Sequence, residues 1–277
     1  MTFAGGRFVV TGAASGIGRA TAELLIERGA RVVALDRRDP GLDRTTYVPV
    51  DLADPASIDS AVAAIDGPLH GLANVAGVPG SLDGETVMRV NLLGLRHLTE
   101  ALLPRLEAGG SIVNVASCAG TGWRANLDIL LELMAARGFD TGLAWVRAHP
   151  MPGPDAYNFS KEAVIVYGQI ASMLARPFDV RVNTVNPGAV ETPILTEFYA
   201  TMDNAVLDRL KDQAGGRDGR PSEIAAAICF LLSDEASWIN GTELNVDGGA
   251  EVAINLGLLE VDADRALEMV FDRNHQV

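Results

Sequence analysis

A glycine-rich turn between an apolar run and an amphipathic segment is the feature that most constrains the fold of this chain. Residues 7–10 end in Phe-Val-Val, an apolar, β-branched pattern typical of a buried strand. Gly12, Gly16 and Gly18 follow, and apolar residues at helical spacing continue to Gly29, a residue suited to a helix C-terminus. Strand, glycine turn and helix together predict a dinucleotide-binding crossover, in which N–H groups at the helix start hold a pyrophosphate. The alternative is a glycine turn that binds nothing.

The second predicted strand, residues 30–36, ends on a carboxylate, Asp36. An acidic residue about 20 positions beyond the glycines accepts hydrogen bonds from the ribose hydroxyls of the adenosine. It also repels the extra phosphate of NADP. Arg37 and Arg38 follow directly and argue for the phosphorylated cofactor, but the carboxylate comes first, so the sequence favours NAD. The alternative for Asp36 is a solvated strand end.

Tyr157 and Lys161 are four residues apart, which is about one helical turn, so they project from the same helix face. A tyrosine with an ordinary pKa near about 10 is a poor base at neutral pH. A neighbouring ammonium favours the phenolate, so we expect Lys161 to lower the pKa of Tyr157. The pair then predicts a proton donor and acceptor that works near neutral pH.

Strand and helix patterns alternate through all 277 residues, with no repeat or linker between them. This pattern predicts one α/β domain that spans residues 1–277. The net charge of −14 argues against nucleic acid and anionic membranes as partners. No basic and apolar leader begins the sequence, and no apolar run approaches the roughly 20 residues of a membrane span. We therefore expect a cytoplasmic protein with no membrane contact.

The sequence offers no metal-ligand pattern. Cys118 and Cys229 are too few for a disulfide framework or a thiolate zinc site, and we expect both to be reduced and inert. The four histidines show no metal-ligand spacing. A serine hydrolase is also unsupported, because the chain has no GxSxG segment.

Six motifs in register identify a family. Residues 11–18, residues 74–77, Asn91, Ser117, residues 157–161 and residues 186–193 together resemble a short-chain dehydrogenase/reductase, from about Phe8 to Gly249. The resemblance implies a doubly wound parallel sheet (Rossmann fold). It also implies nicotinamide-dependent oxidation of alcohols or reduction of ketones.

The resemblance assigns catalytic roles to four residues. Ser117 holds the substrate oxygen, and Tyr157 takes the alcohol proton or donates one to the carbonyl oxygen. Lys161 lowers the pKa of the tyrosine and binds the nicotinamide ribose, while Asn91 supports a water chain that relays protons from the lysine. Two alternatives remain open: Ser117 simply ends its strand, and Asn91 is a helix residue bonded to backbone.

The predicted cofactor contacts follow from the same motifs. They are Gly12, Ser15, Gly16, Ile17, Gly18, Asp36, Asp51, Leu52, Asn74, Ala76, Gly77, Tyr157, Lys161, Pro187, Gly188, Val190 and Thr192. Asp51 would accept from the adenine amino group, or instead serve as an ordinary carboxylate at a helix start. Asn74 is one asparagine where the family often has two.

The chain departs from the family between Ser117 and Tyr157, which are 40 positions apart. Residues 118–153 therefore form an insertion, and apolar spacing predicts helices over residues 126–137 and 141–148. The insertion caps the substrate pocket, or covers the helices that most relatives use for oligomer contacts, or decorates the surface. If it covers those helices, we expect a homodimer or homotetramer through another face. If it walls the pocket, Trp123, Leu130, Met134 or Trp145 should contact the substrate.

The insertion, residues 36–39 and residues 191–195 resemble a bacterial subgroup that includes 3α-hydroxysteroid dehydrogenase/carbonyl reductase and coniferyl-alcohol dehydrogenase. The resemblance implies a bulky apolar or aromatic alcohol or ketone, with steroid and aryl alcohol equally open. From another functional class, a non-catalytic NAD-binding redox sensor is the alternative, which the intact catalytic set disfavours.

Two variable segments complete the analysis. Ile194, Leu195, Phe198, Tyr199 and Met202 give residues 192–210 an apolar face that suits a mobile lid or ordinary packing. The C-terminal extension, residues 250–277, holds an amphipathic stretch at 263–271 that crosses to a partner subunit or closes the pocket.

Overall fold

A parallel sheet of seven strands forms the centre of the computed structural model, which describes residues 2–201 and 204–256. The strand order is β3-β2-β1-β4-β5-β6-β7, and every neighbouring pair is parallel. The strands are β1 Arg7–Thr11, β2 Arg31–Asp36, β3 Thr45–Pro49, β4 Leu69–Asn74, β5 Leu106–Val115, β6 Arg181–Pro187 and β7 Glu243–Val246. The predicted doubly wound α/β fold is confirmed.

Eleven α-helices connect or cover these strands within the described residues. They are α1 Gly16–Glu27, α2 Pro55–Ala64, α3 Gly84–Met88, α4 Leu95–Leu102, α5 Leu127–Ala135, α6 Phe139–Ala148, α7 Gly153–Leu174, α8 Pro193–Thr201, α9 Asn204–Gln213, α10 Pro221–Leu232 and α11 Ala250–Asn255. None of the helices in this part of the chain is long and apolar enough to span a membrane.

The central strands are buried on both faces because helices cover both sides of the sheet. Successive residues of β1 face opposite layers: Val9 packs into the core beneath α2, α4 and α7, and Val10 into the core beneath α1 and α10. Both valines are fully buried. Burial on both faces explains why the central strands read as continuous apolar runs instead of alternating patterns.

The strand order reverses between β1 and β4, so the connections from these two strands leave toward opposite faces of the sheet. A crevice opens at the carboxyl ends of strands at such a switch point. Thr11, Asp36, Asn74 and Val115 are the last residues of four neighbouring strands. The motifs of the sequence therefore converge at one edge of the sheet.

The insertion folds as the sequence predicts, with α5 and α6 inside residues 118–153. It begins with a 3-10 segment, Cys118–Arg124, and packs against α7, α3 and residues 89–94. Arg96 of α4, which is nearly buried, donates to the Ala136 carbonyl at the end of α5 at 3.1 Å. Met202 of the predicted lid and residues 263–271 lie outside the described residues.

Candidate active site

At the glycine turn, the backbone at Gly12 packs directly against the backbone of Ala76, and that at Gly18 against Gly12. Gly12 and Gly16 adopt φ of 70° and 54°, in the left-handed region that favours glycine. A side chain at Gly12 would lie 2.9 Å from the Ala76 Cα, and one at Gly18 would lie 2.2 Å from the Gly12 carbonyl oxygen. The Thr11 hydroxyl accepts from the Ala76 N–H at 3.0 Å and ties the turn to the end of β4. Positions 12 and 18 of this turn therefore have no room for a side chain, because each packs against backbone.

The start of α1 has the donors that a pyrophosphate requires. The first N–H groups of a helix have no partner within it. Ser15 occupies the N-cap without a side-chain hydrogen bond, and no acidic residue lies in the first turn of α1. These exposed N–H groups and the positive end of the helix face the same cleft as Gly16, Ile17 and Gly18. The residues present therefore fit a dinucleotide.

Asp36 lies at the end of β2, in the same cleft and partly buried. One carboxylate oxygen accepts from the Ala14 N–H of the glycine turn at 3.0 Å, and the other accepts from the Arg38 N–H at 3.0 Å. These bonds fix the carboxylate beside the turn. Arg37 and Arg38, the next two residues, line the same cleft.

Asp51 and Leu52 line the cleft after β3. The Asp51 carboxylate accepts from the Ala53 N–H at 2.9 Å. The N-cap of α2 is instead Asp54, whose side chain accepts from the Ala56 N–H. The alternative interpretation of Asp51 as the carboxylate at the start of this helix is therefore wrong.

Asn74 differs from the other predicted cofactor residues because its side chain points away from the cleft. It is 1% exposed, and its Nδ2 donates to Thr99 Oγ1 at 2.8 Å and to Asn114 Oδ1 at 2.9 Å. A polar side chain buried at the end of a central strand needs such partners. We correct the expectation that this side chain lines the cofactor path.

Ser117, Tyr157 and Lys161 lie together in the lining of the same cleft. Ser117 follows β5, and its hydroxyl accepts from the Ala119 N–H at 3.2 Å. Lys161 is 6% exposed and donates from Nζ to the Val115 carbonyl at 3.2 Å. The same Nζ lies 5.6 Å from the centre of the Tyr157 ring. The helix α7 thus brings phenol and ammonium to one face, as their spacing predicts.

Burial decides the protonation of this pair. It raises the pKa of Tyr157 above its ordinary value, although a hydrogen bond with the Ser117 side chain opposes the change. Burial also lowers the pKa of Lys161 to about 8. The sequence predicts a lowered tyrosine pKa; that expectation is wrong for this structure, because burial disfavours the phenolate more than the hydrogen bond with Ser117 favours it. At neutral pH the pair is a phenol beside an ammonium.

Asn91 lies outside the cleft lining, in a π-helical segment, Arg89–Gly94, that precedes α4. Its Oδ1 accepts from the Val78 N–H at 2.8 Å, and its Nδ2 donates to Ser160 Oγ at 3.2 Å. The side chain therefore joins the loop after β4 to α7, one residue from Lys161. Every bond that it makes here suits a structural link, and its part in a proton relay stays a prediction.

Helix α8 contributes apolar residues to the lining of the cleft. It follows Pro187, Gly188, Val190 and Thr192, which line the cleft as the sequence predicts. The Phe198 ring lies 5.1 Å from the Tyr157 ring in an edge-to-face contact. This contact places an apolar wall directly beside the phenol.

Sequence reasoning missed part of this wall. Leu82, Thr86 and Val90 also line the cleft, from the loop after β4, from α3 and from the π-helical segment Arg89–Gly94 respectively. Ser81 donates to Glu197 of α8 at 2.7 Å and so links the loop after β4 to α8. No sequence signal marks this bond, because its partners are 116 positions apart.

The insertion does not line the described part of the cleft. Trp123, Leu130, Met134 and Trp145 are buried in the core that α7 shares with α2 and α4. Trp145 stacks on Phe159 of α7 at 5.9 Å between ring centres. The described lining of the cleft therefore does not support the alternative in which the insertion walls the pocket, and the other two alternatives, cover for the oligomer-forming helices and surface decoration, stay predictions.

Cys118 follows Ser117 but has no reactive character. Burial raises the pKa of its thiol to about 11, so it is protonated at neutral pH. Burial likewise raises the pKa of Cys229 to about 12. Among the residues that the structure describes, no group of three or more His, Cys, Asp or Glu side chains could hold a metal ion.

Known proteins share this fold and these motifs. One family model, described as short chain dehydrogenase, matches residues 7–127, and another, described as Enoyl-(Acyl carrier protein) reductase, matches residues 127–251. Coniferyl-alcohol dehydrogenase from Pseudomonas sp. (strain HR199 / DSM 7063) is 43% identical over 248 residues, 88% of this chain and 95% of that protein.

Two solved structures show the same architecture with a nucleotide bound. The 3-alpha-hydroxysteroid dehydrogenase from Pseudomonas sp. B-0831, complexed with NADH, is 33% identical, with a TM-score of 0.76 over 90% of this chain and 98% of that chain. The 3-ketoacyl-(acyl-carrier-protein) reductase from Brucella melitensis, also complexed with NADH, is 27% identical, with a TM-score of 0.70 over 90% and 100%. The chain belongs to the short-chain dehydrogenase/reductase family and is an oxidoreductase that acts on CH–OH groups.

Proposed function

We propose that this protein is an NAD-dependent dehydrogenase that interconverts a bulky aromatic alcohol and its carbonyl compound. The observation that carries the proposal is the convergence of Ser117, Tyr157 and Lys161 in a cleft that the glycine turn also lines. A dinucleotide that extends from the turn along this cleft would end beside the phenol. When bound, NAD supplies the acceptor for a hydride from the carbinol carbon.

The proposed cofactor residues are grouped by the part of the dinucleotide that each would hold. The glycine turn and the start of α1 bind the pyrophosphate, and Asp36 and Asp51 flank the adenosine. Lys161 donates to the nicotinamide ribose. Pro187, Gly188, Val190 and Thr192 shape the floor under the nicotinamide, and the backbone of Ala76 and Gly77 lies between the two ends.

The proposed proton transfer uses the phenol and the two groups beside it. Ser117 donates a hydrogen bond to the substrate oxygen and places it at the Tyr157 hydroxyl. The buried phenol is protonated at neutral pH, which is the form that donates a proton to a carbonyl oxygen. Alcohol oxidation needs the phenolate, which the Lys161 ammonium favours through its charge. We expect oxidation to accelerate from neutral pH up to about pH 8 and to gain less above it, because Lys161 then loses the charge that favours the phenolate.

The substrate class rests on the cleft wall and on similarity to one named enzyme. Phe198 places apolar surface beside Tyr157, and Leu82 adds apolar surface to the lining of the same cleft. An aromatic ring packs well against such a wall, because edge-to-face contacts add to the area it buries. Greater similarity to a coniferyl-alcohol dehydrogenase than to a 3-alpha-hydroxysteroid dehydrogenase supports an aryl alcohol first and a steroid second.

The test of this function is NADH formation with a panel of alcohols at fixed pH. The panel compares coniferyl and cinnamyl alcohols with a 3α-hydroxysteroid and with short aliphatic alcohols. We expect the highest kcat/KM for the aromatic alcohols. Tight NAD binding with no turnover of any member of the panel would instead favour the non-catalytic sensor.

Phe198→Ala should lower kcat/KM for aromatic alcohols by about 10-fold, the loss expected when an aromatic contact and its buried area are removed. Short aliphatic alcohols should lose much less, because they do not reach the ring. Phe178→Ala is the matched control, since Phe178 is exposed and remote from the cleft. An equal loss for all alcohols would show that Phe198 does not contact the substrate.

Asp36→Ala should relax a preference for NAD over NADP by about 10-fold or more, because it removes a carboxylate that repels the 2′-phosphate. The ratio of kcat/KM for the two cofactors measures the change. Asp39→Ala is the control, since Asp39 is an exposed carboxylate in the same stretch. If the wild-type protein turned over NADPH as well as NADH, Arg37 or Arg38 would govern the site instead.

A further inference from the structure

Glu162 follows Lys161 directly on α7 and has no part in the proposed proton transfer. It is 7% exposed, although carboxylates are rarely buried without a partner. Its Oε2 accepts from Asn126 Nδ2 at 2.8 Å. Burial raises the pKa of the Glu162 carboxyl, and the hydrogen bond from Asn126 opposes that change. A residue from the start of the insertion is therefore bonded to the helix that carries the catalytic pair.

The segment Cys118–Arg124 lies against α7 at this point. A side chain at Gly120 would be 2.9 Å from the Lys161 carbonyl carbon. One at Gly122 would be 2.7 Å from the Glu162 carboxylate oxygen Oε1. Real Cβ atoms do not approach backbone so closely, so only glycine permits the contact at position 120, while a side chain at position 122 would displace the Glu162 carboxylate. The start of the insertion is thus seated on the backbone and side chain of residues 161 and 162.

Ser117 is attached to the same segment. Its hydroxyl is the N-cap of the segment and accepts from the Ala119 N–H at 3.2 Å, and its carbonyl accepts from the Gly120 N–H at 3.0 Å. On the other side, the Ala116 N–H donates to the Val185 carbonyl of β6 at 2.9 Å. The orientation of the Ser117 hydroxyl therefore depends on where Cys118–Arg124 sits.

A second carboxylate holds the far end of the segment. Glu243 of β7 accepts from Trp123 Nε1 at 3.0 Å and from Arg124 Nη2 at 2.7 Å. This contact attaches the segment to the edge of the sheet. The contact at Glu162 attaches it to α7 and so determines its position relative to Tyr157 and Lys161.

We propose that Glu162, through its hydrogen bond with Asn126, is a positioning residue that holds the Ser117 hydroxyl in register with the Tyr157 phenol. The proposal rests on the proposed function, since it gives the insertion a role in the alignment of the same catalytic groups. Glu162 acts through Ser117 and touches neither substrate nor cofactor.

The experiment compares three variants with the wild-type protein. Asn126→Ala removes the donor without changing α7, and Asn126 is exposed, so folding should be retained. Glu162→Ala removes the acceptor, and Glu162→Gln keeps an acceptor oxygen. We expect the two alanine variants to lower kcat by about 10-fold, because small misplacements of reacting groups have large effects on rate. Glu162→Gln should retain most of the activity.

The dissociation constant for NADH distinguishes misalignment of the catalytic groups from general damage to the fold. The proposed cofactor contacts of α1 and β2 are remote from Asn126, so this constant should not change in any of the three variants. Glu132→Ala is the matched control: Glu132 accepts from Trp145 Nε1 at 2.7 Å within the insertion, away from the segment next to Ser117. We expect it to leave kcat unchanged.

The decisive experiment introduces Asn126→Ala or Glu162→Ala into a protein that already carries Ser117→Ala, and compares each double variant with Ser117→Ala alone. If Glu162 acts through Ser117, neither substitution lowers kcat further once the hydroxyl is gone. A further loss of similar size in that background would overturn the proposal, as would full activity of both single variants. If Ser117→Ala alone kept wild-type turnover, the proposed function would fail instead, and the two failures are thereby distinguished.

Discussion

Tyr157→Phe should lower turnover by about 10²–10⁴-fold and leave NAD affinity nearly unchanged, because the hydroxyl and not the ring handles the proton. The ring of a phenylalanine would keep the edge-to-face contact with Phe198 at this position. The fold and the cleft wall should therefore be preserved. Steady-state rates with the best alcohol of the panel, together with titration of NADH fluorescence, measure both quantities.

Retention of more than a tenth of wild-type turnover by Tyr157→Phe would contradict the proposed role of the phenol. Tyr167→Phe is the matched control. Tyr167 is also buried on α7 and also has a raised pKa, but it does not line the cleft. The control should keep its activity and its cofactor affinity.

Lys161→Met should affect both catalysis and binding. Loss of the ammonium removes the charge that favours the phenolate, which we expect to lower alcohol oxidation by about 10²-fold or more. Loss of the proposed donor to the nicotinamide ribose should weaken NAD binding by about 10-fold, the effect of one hydrogen bond to a charged group. NAD affinity therefore distinguishes Lys161→Met from Tyr157→Phe, because we expect only the lysine variant to lose it.

The same substitution should raise stability at neutral pH. Burial lowers the pKa of Lys161 from 10.5 to about 8, which corresponds to a cost of about 3 kcal/mol for the buried ammonium. The lost hydrogen bond to the Val115 carbonyl offsets about 1 kcal/mol of the gain. We therefore expect the free energy of unfolding of Lys161→Met to exceed that of the wild type by about 2 kcal/mol at pH 7.

The gain in stability from Lys161→Met should depend on pH, because it comes from removal of a buried ammonium. Below pH 8 both the folded and the unfolded wild-type chains carry the ammonium, so the full cost of burial is present. Between about pH 8 and 10.5 the unfolded chain binds more protons than the folded one, and wild-type stability rises with pH. The advantage of Lys161→Met should therefore shrink across that window. Denaturant titrations at pH 7 and pH 9.5 measure it.

Lys211→Met is the matched control for stability. Lys211 is the other lysine of the chain, and it forms an ion pair with Asp218 at 3.3 Å. That contact raises its pKa instead of lowering it. Its substitution should not stabilise the protein at any pH, and equal stabilisation by both variants would show that burial of Lys161 is not the cause.

The sequence predicts those features that depend on short-range chemistry. The turn at Gly12, Gly16 and Gly18 requires backbone that only glycine permits, and Tyr157 and Lys161 share a helix face because of their spacing. The strand order predicts that the cleft residues lie at one edge of the sheet, because the neighbouring parallel strands β1 and β2 end side by side at Thr11 and Asp36. Local rules and topology together are sufficient to bring the cleft residues to one place.

Features that depend on burial by distant segments could not be predicted in this way. The pKa of Tyr157 follows from how much water its neighbours exclude, and these neighbours include α8 and the loop after β5. The side chain of Asn74 turns into the core because Thr99 and Asn114 offer partners there. The bond between Glu162 and Asn126 joins residues 36 positions apart, and its existence depends on how the insertion packs.

The most direct test of the central claim is a single turnover with an aromatic alcohol deuterated at the carbinol carbon. The protein, NAD and this alcohol are mixed, absorbance follows the reduced nucleotide, and the position of deuterium is determined by mass spectrometry and NMR. We predict that deuterium appears in the NADH, that NADH and aldehyde form in equal amounts, and that Tyr157→Phe forms neither at an appreciable rate. Loss of the deuterium to solvent, or NADH formation by Tyr157→Phe at the wild-type rate, would contradict direct hydride transfer assisted by the phenol in this cleft.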